Sequence, residues 1–167
     1  MMRAIATFFY VGLLRPAPGT WGSLAALVAA LPIAWLGGPW LLVAASILAF
    51  AIGIPATRSE VAASGNEDPS HVVIDEVAGQ WIALLPVAFG ATWAGAPVTA
   101  LWPGWIAAFV FFRLFDIWKP GPIGWADRRG DALGVMLDDV IAGVFAAIAV
   151  MALAALAHAG FTSVPGV

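Results

Sequence analysis

The sequence predicts an all-α, polytopic membrane bundle of about five spans, with its charged motifs gathered on one side. Three observations predict it. The chain of 167 residues is 62% hydrophobic and only 10% charged, where a soluble domain carries about 25% charged residues. Its mean hydropathy is +0.96. Every charge, moreover, falls into three short regions that leave long apolar stretches between them. A buried soluble helical core is the alternative, and this composition weighs against it.

No long polar segment divides the chain, so it reads as one domain over 1–167. The N-terminal "MMRAIATFFYVGLLRPAPG" has one early Arg and a short apolar run, as a signal peptide does. It lacks a small-residue cleavage pattern, so a retained interfacial helix or helix end is expected. Five apolar stretches follow, at roughly 21–36, 39–55, 77–93, 97–115 and 140–159. A spanning helix needs about 20 residues. "LGGPW" (36–40) and "WAGAP" (93–97) read as tight, uncharged turns. Pro32 and Pro55 blur the ends of the first two stretches.

All cations and anions lie in the N-terminal segment, in 56–76 or in 113–139. Five spans put those three regions on one side, and the positive-inside rule makes that side cytoplasmic. The other side receives the two turns and the uncharged tail "GFTSVPGV". Trp35, Trp40 and Trp93 then stand near the outer edge, and Trp21, Trp81, Trp118 and Trp125 near the inner one, as interfacial anchors do. Trp102 and Trp105 fit packing between helices better. A net charge of −3 gives no reason to expect nucleic acid. With no cysteine, disulfides and thiolate chemistry are excluded.

Four stretches carry unusual chemistry, all at the charged edge. In "LLRPAPGTWGSL" (13–24), Pro16, Pro18 and Gly19 stop a helix, and Thr20 is a good N-cap for one starting near Trp21, with Ser23 in its first turn. A helix start presents free N–H groups and suits phosphate, and Arg15 adds a bidentate donor. The bland alternative is an ordinary capped loop. In "NEDPSHVVIDEVAGQW" (66–81), a helix beginning near Asp75 places Asp75 and Glu76 about 100° apart, one turn before Gly79. Acids at a helix start suit its dipole, but acids at the mouth of an apolar span are functional candidates. His71 is a base or ligand candidate set against an exposed loop histidine.

In "FFRLFDIWKPGPIGWADRRGD" (111–131), Arg113, Asp116 and Lys119 recur at i,i+3 on one face, and Pro120 and Pro122 end the helix. Snorkelling charges and a simple salt bridge would explain them, as would a metal carboxylate flanked by phosphate-binding cations. In "LGVMLDDVIAGV" (133–144), Asp138 and Asp139 precede the most apolar span, with Gly143 one turn on. Ile-Asp-Glu-Val-Ala-Gly and Leu-Asp-Asp-Val-Ile-Ala-Gly echo one another.

Meeting at one membrane face, Asp75, Glu76, Asp116, Asp138 and Asp139 would repel, and some would protonate. A hard divalent cation resolves the conflict. Oxygen ligands suit Mg²⁺, which shares phosphate oxygens with its substrate. Two histidines and no cysteine argue against zinc. A metal, cations and an anion-binding helix start together point to phosphate-ester chemistry on a lipid head group.

"PAPGTWGSL", "VVIDEVAGQW", "FRLFDIWKPGPI" and "GVMLDDVIAG" resemble, in this order, the signature motifs of the phosphatidylglycerophosphatase A family, over about residues 8–145. The resemblance implies a Mg²⁺-dependent phosphatase of the bacterial cytoplasmic membrane, surrounded by membrane lipids. It would remove the terminal phosphate of phosphatidylglycerophosphate, with its site facing the cytoplasm. A homo-oligomer is compatible with this. The matching polar positions are Arg15, Thr20, Ser23, Glu60, Asp68, Asp75, Glu76, Arg113, Asp116, Lys119, Asp127, Asp138 and Asp139. One departure stands out. The family has a Gly-Gly-x-Gly-Ile-Met run before its Asp-Asp pair, and this chain reads "RRGDALGVMLDD", with Asp131 and Ala132 interrupting.

The expected mechanism is metal-assisted hydrolysis. Asp75, Glu76, Asp138 and Asp139, with Asp116, hold the metal, while Arg15, Arg113 and Lys119 steady the phosphate together with Thr20 and Ser23. No Asp-x-Asp-x-Thr/Val pattern supports an aspartyl-phosphate route, and no Ser-His-Asp trio is available. A cation-coupled transporter would want ionisable groups near the midplane, where this chain has none. A head-group transferase would want an Asp-x₂-Asp-Gly-x₂-Ala-Arg pattern, and a purely structural subunit would not need four acid-rich motifs.

Overall fold

A computed structural model describes residues 1–162, and the side chains of 1–159. The last residues of the uncharged tail, 163–167, and the side chains of 160–162 fall outside that description. Among the described residues every regular element is helical: α1 (Met2–Ala6), α2 (Pro18–Ser64), α3 (Ile74–Trp93), α4 (Trp102–Trp118), α5 (Pro122–Asp127) and α6 (Ala132–Thr162), with 3₁₀ turns at Val11–Leu13 and Val98–Leu101.

A straight helix of 47 residues would be about 70 Å long, more than twice a bilayer core. α2 is not straight. Gly38 has φ 64° and ψ −160°, a conformation only glycine adopts cheaply. Pro39, with no N–H to give, follows it as a second helix start would require. The two arms then run in opposite directions along α3. Gly22 and Gly53 both abut its start, at Val73 and Ile74. Trp35 and Trp40 both lie near its end, beside Ala91 and Phe89. The turn expected at 36–40 is thus one glycine wide.

α3 is the centre of the bundle, with twelve of its twenty residues buried. α4 runs antiparallel to it, with Leu101 beside Gly90, Gly104 beside Val87 and Phe112 beside Gly79. α6 runs the other way, Met136 lying beside Gly53 and Ile74 and Val140 near Ile82 and Leu85. α3 and α6 touch through backbone: a Cβ on Gly79 would come within 2.5 Å of the Asp139 carbonyl, and one on Gly143 would overlap the Gly79 carbonyl. The small residues of the two echoing motifs are what lets their acids approach.

The bundle is small inside and large outside. Gly22, Ala26, Ala30 and Ala34 form a buried stripe at i,i+4, whereas Ile106, Val110, Leu114 and Ile117 of α4 and Val144, Ile148 and Met151 of α6 are exposed. In water such stripes would be aggregation surfaces; facing acyl chains they are ordinary, and close packing through small residues is how helices associate in a membrane. Residues 18–64, 98–118 and 132–159 form three helices long and apolar enough to cross a bilayer. The fold is therefore an all-helical membrane bundle with three such helices. The expected count of five treats the α2 arms separately and adds α3, which is enclosed rather than lipid-facing.

Three local expectations are corrected. α2 starts at Pro18 with Ala17 at the N-cap, so Thr20 lies inside the first turn; proline is at home in a first turn, where its missing N–H costs nothing. Trp81 is no interfacial anchor. It is buried, and its indole donates to the Ala26 carbonyl at 2.8 Å, tying α3 to the first arm of α2. Trp102, expected between helices, is instead exposed, as are Trp35, Trp40, Trp93, Trp118 and Trp125, while Trp105 packs inside.

Candidate active site

The loops and helix starts bring the four polar stretches to one end of the bundle. The N-terminal segment supports that end from beneath: the Val73 N–H donates to the Ala6 carbonyl at 2.8 Å, and Phe8 stacks edge-on against Trp81. α3 then begins at Ile74, so Asp75 and Glu76 occupy its first turn. Asp75 Oδ1 accepts the Glu76 N–H at 3.0 Å. Asp138 does the same for the Asp139 N–H at 2.9 Å. The second pair is not at a helix start, however. α6 begins six residues earlier, at Ala132.

Asp131 explains that earlier start. Its Oδ1 accepts the Gly134 N–H at 2.6 Å and its carbonyl accepts the Val135 N–H, the two bonds of an N-cap. The polar residue that interrupts the glycine run is the cap of the longest apolar helix after α2. Hydrogen bonds from Arg129 and then from Gly134 hold the Asp131 carboxyl below its ordinary range.

A cavity of about 550 Å³ opens at this end. Its lining includes Glu67, Asp68, Asp75, Glu76, Asp116, Asp127, Asp138 and Asp139, but of the cations only Arg113 and Lys119. Eight carboxylates against two cations would repel a phosphate. Carboxylate oxygens of Asp75, Glu76 and Asp139 lie within 4.8 Å of one another, a grouping that could hold a metal ion. Glu76 Oε2 is buried without a hydrogen-bond partner. The donor set is all oxygen and fits a hard divalent ion.

The remaining acids are held otherwise. Asp116 pairs with Arg113 Nη1 at 2.5 Å, and the same nitrogen lies 3.9 Å from Glu76 Oε1. Arg113 also donates to Ser23 Oγ at 3.5 Å, while Ser23, fully buried, donates to the Gly19 carbonyl. A Cβ on Gly19 would overlap Glu76 Oε1, so only glycine lets the first turn of α2 approach the cluster. Lys119 does not pair with Asp116 as the i,i+3 spacing predicts. It ends α4 in a left-handed conformation (φ 48°) and donates to Asp138 at 2.6 Å and to Asp127. Burial works against its charge, but those two hydrogen bonds overcome it and hold the ammonium protonated above its ordinary range.

Not every residue singled out from the sequence reaches the cavity. Arg15 is exposed and Thr20 half-buried, and neither belongs to the lining. His71 bonds Glu60 at 2.8 Å, fastening the loop after α2 to that helix rather than facing the carboxylates. Asp68 does line the cavity from an exposed loop position; local desolvation, together with Asp127 and Asp116, raises its proton affinity despite Lys119 nearby. Sequence reading missed Glu67, Ser70 and Gly19 as lining residues. The first two sit in a loop whose path no local pattern reveals. The missed Gln80, wholly buried in α3, was detectable as an amide inside an apolar run.

The fold and site define a membrane-embedded helical bundle with a carboxylate-rich, metal-capable cavity at one end. Comparison with known proteins narrows this class. The family model for Phosphatidylglycerophosphatase A matches residues 4–154. A Haemophilus influenzae protein named Phosphatidylglycerophosphatase A is 36% identical over 150 residues, 89% of this chain and 86% of the relative. The Escherichia coli protein of the same name is 38% identical over 146 residues, 86% of this chain and 77% of the relative. A Bacteroides thetaiotaomicron protein provisionally named phosphatidylinositol-3-phosphatase is 36% identical over 154 residues, 86% and 87% of the two chains. No solved structure gives a significant match. The chain belongs to the phosphatidylglycerophosphatase A family.

Proposed function

We propose that this protein hydrolyses the terminal phosphomonoester of phosphatidylglycerophosphate, releasing phosphatidylglycerol and inorganic phosphate, with Mg²⁺ as cofactor. The observation that carries the reading is the meeting of Asp75, Glu76 and Asp139 within 4.8 Å at the cavity. Family membership supplies the substrate class.

Asp75, Glu76 and Asp139 would hold the ion. A bound Mg²⁺ would polarise the phosphoryl group and acidify a water for attack. Arg113, beside both Glu76 and the first turn of α2, faces the phosphate oxygens and offsets their charge. Asp68, on the exposed loop rim but lining the cavity, with its proton affinity raised, is placed to take the proton of the attacking water. As the new phosphorus–oxygen bond forms, the bond to the glycerol oxygen breaks, and that oxygen takes up a proton from solvent water at the open cavity. Lys119 is committed to Asp127 and Asp138, so its part is to fix α4, α5 and α6 around the cavity. In this reading the chain crosses the bacterial cytoplasmic membrane five times, with the cavity in the cytoplasm and the acyl chains left in the bilayer.

The test is phosphate release by the purified protein in detergent, with phosphatidylglycerophosphate, with Mg²⁺ and with chelator. Mg²⁺-dependent release is expected; no release with any divalent metal would end the proposal. A parallel arm with phosphatidylinositol 3-phosphate addresses the activity in the Bacteroides relative's name, and faster turnover there would reassign the substrate. A C-terminal reporter found in the cytoplasm would refute the five-span arrangement.

A further inference from the structure

Gln80 has no place in the scheme above and no local partner. It is 0% exposed, and both its amide nitrogen and its amide oxygen lack a hydrogen bond. Among the described residues the other buried side-chain atoms in that condition are Glu76 Oε2 and Arg113 Nε. Glu76 is four residues earlier on α3, so the two side chains share a helix face about 5–6 Å apart at Cβ. Arg113 is the group already ion-paired to Glu76. The other two unsatisfied side chains, Gln80 and Arg113, thus both neighbour the Glu76 carboxylate.

Packing alone does not call for an amide there. The same face continues with Ala83, Leu84 and Val87, all buried and apolar. An unsatisfied amide inside an apolar bundle is costly, and methionine would fill the same volume without that cost. Polar groups kept at such depth are retained for a task.

We propose that Gln80 is a positioning residue for the metal centre: its amide N–H holds Glu76 Oε2 through one buried water. Glu76 Oε1 then stays aimed at the cluster. The inference rests on the metal reading of Asp75, Glu76 and Asp139. Carboxylate ligands are commonly oriented by such a second hydrogen bond, and its loss weakens metal binding 10–100-fold.

The experiment uses the full chain in detergent, with Mn²⁺ alone as the probe, followed by electron paramagnetic resonance. Gln80→Met is expected to weaken Mn²⁺ binding about 10–100-fold, while the metal-free protein melts at the same temperature or higher. In a Glu76→Gln background, Gln80→Met should add nothing further, because it acts through that carboxylate. Mn²⁺ affinity within twofold of the parent overturns the proposal. So does a lower melting temperature of metal-free Gln80→Met, which would make the amide a structural bond. A parent chain that binds no Mn²⁺ removes the metal reading itself. A parent that binds Mn²⁺ but releases no phosphate removes only the proposed activity.

Discussion

The two acid pairs are written almost alike and meet different fates. Asp75 and Glu76 both enter the metal-capable cluster, at the first turn of a helix. Of Asp138 and Asp139, two turns inside a helix, only Asp139 does; Asp138 is taken up by Lys119. The difference lies in what stands opposite. The first pair faces the glycine-opened start of α2, and the second faces a lysine at the C-terminus of α4. Closely similar local chemistry becomes ligand or anchor according to its tertiary neighbours.

The largest expected effect breaks that symmetry directly. Asp139→Asn should lower the phosphatase rate about a thousandfold, since losing metal-borne charge stabilisation of about 4 kcal/mol corresponds to that factor. Asp138→Asn should cost about tenfold, one unit of 1.4 kcal/mol, because it loosens a brace. Equal losses in a steady-state assay would mean that both aspartates are ligands.

Next comes Asp68→Asn, expected to lower kcat about a hundredfold while leaving Mn²⁺ affinity within twofold. A matching loss of metal affinity would move Asp68 from base to ligand. A smaller effect is expected for Lys119→Met, which strands the buried Asp138 carboxylate. Its partial exposure tempers the cost to about 1–3 kcal/mol, visible as a lower melting temperature. No change in melting would show that Asp138 finds another partner.

The smallest effect concerns the cap that lets α6 start early. Asp131→Ala should lower the melting temperature slightly at neutral pH. Asp131 has a depressed carboxyl pKa in the folded protein, so its contribution is present above the unfolded value of about 3.9. It fades as pH falls through the lower folded value. A deficit that persisted unchanged at acidic pH would assign the loss to something other than the carboxylate.

Much of the fold was legible in the residues. Apolar stretches, Gly/Pro turns and the segregation of charge report directly on transfer into a bilayer, which acts on each segment by itself. Gly38 was legible as a turn for the same local reason. The helix starts were less so. Thr20 is a better cap than Ala17 by preference, yet α2 starts at Pro18, because a close approach to Glu76 and Arg113 fixes where its first turn must lie. Trp81 follows the same logic: its indole finds a carbonyl on a neighbouring helix that no local pattern could point to.

The sequence by itself determined a membrane-embedded helical chain, the gathering of its charges at one end and the acids available for a metal. Those follow from hydropathy and from the scarcity of polar groups, which act locally. Tertiary structure decided which acids meet, which are neutralised and which polar groups are left waiting. Glu76, Gln80, Arg113 and Asp139 come from three helices, and their roles depend on distances of a few ångströms across helix crossings. Such distances are set at Gly79 and Gly143, where backbones touch, and at Gly19, where the α2 backbone meets the Glu76 carboxylate, and electrostatic pairing in a low-dielectric interior falls off too steeply to be read from spacing along the chain.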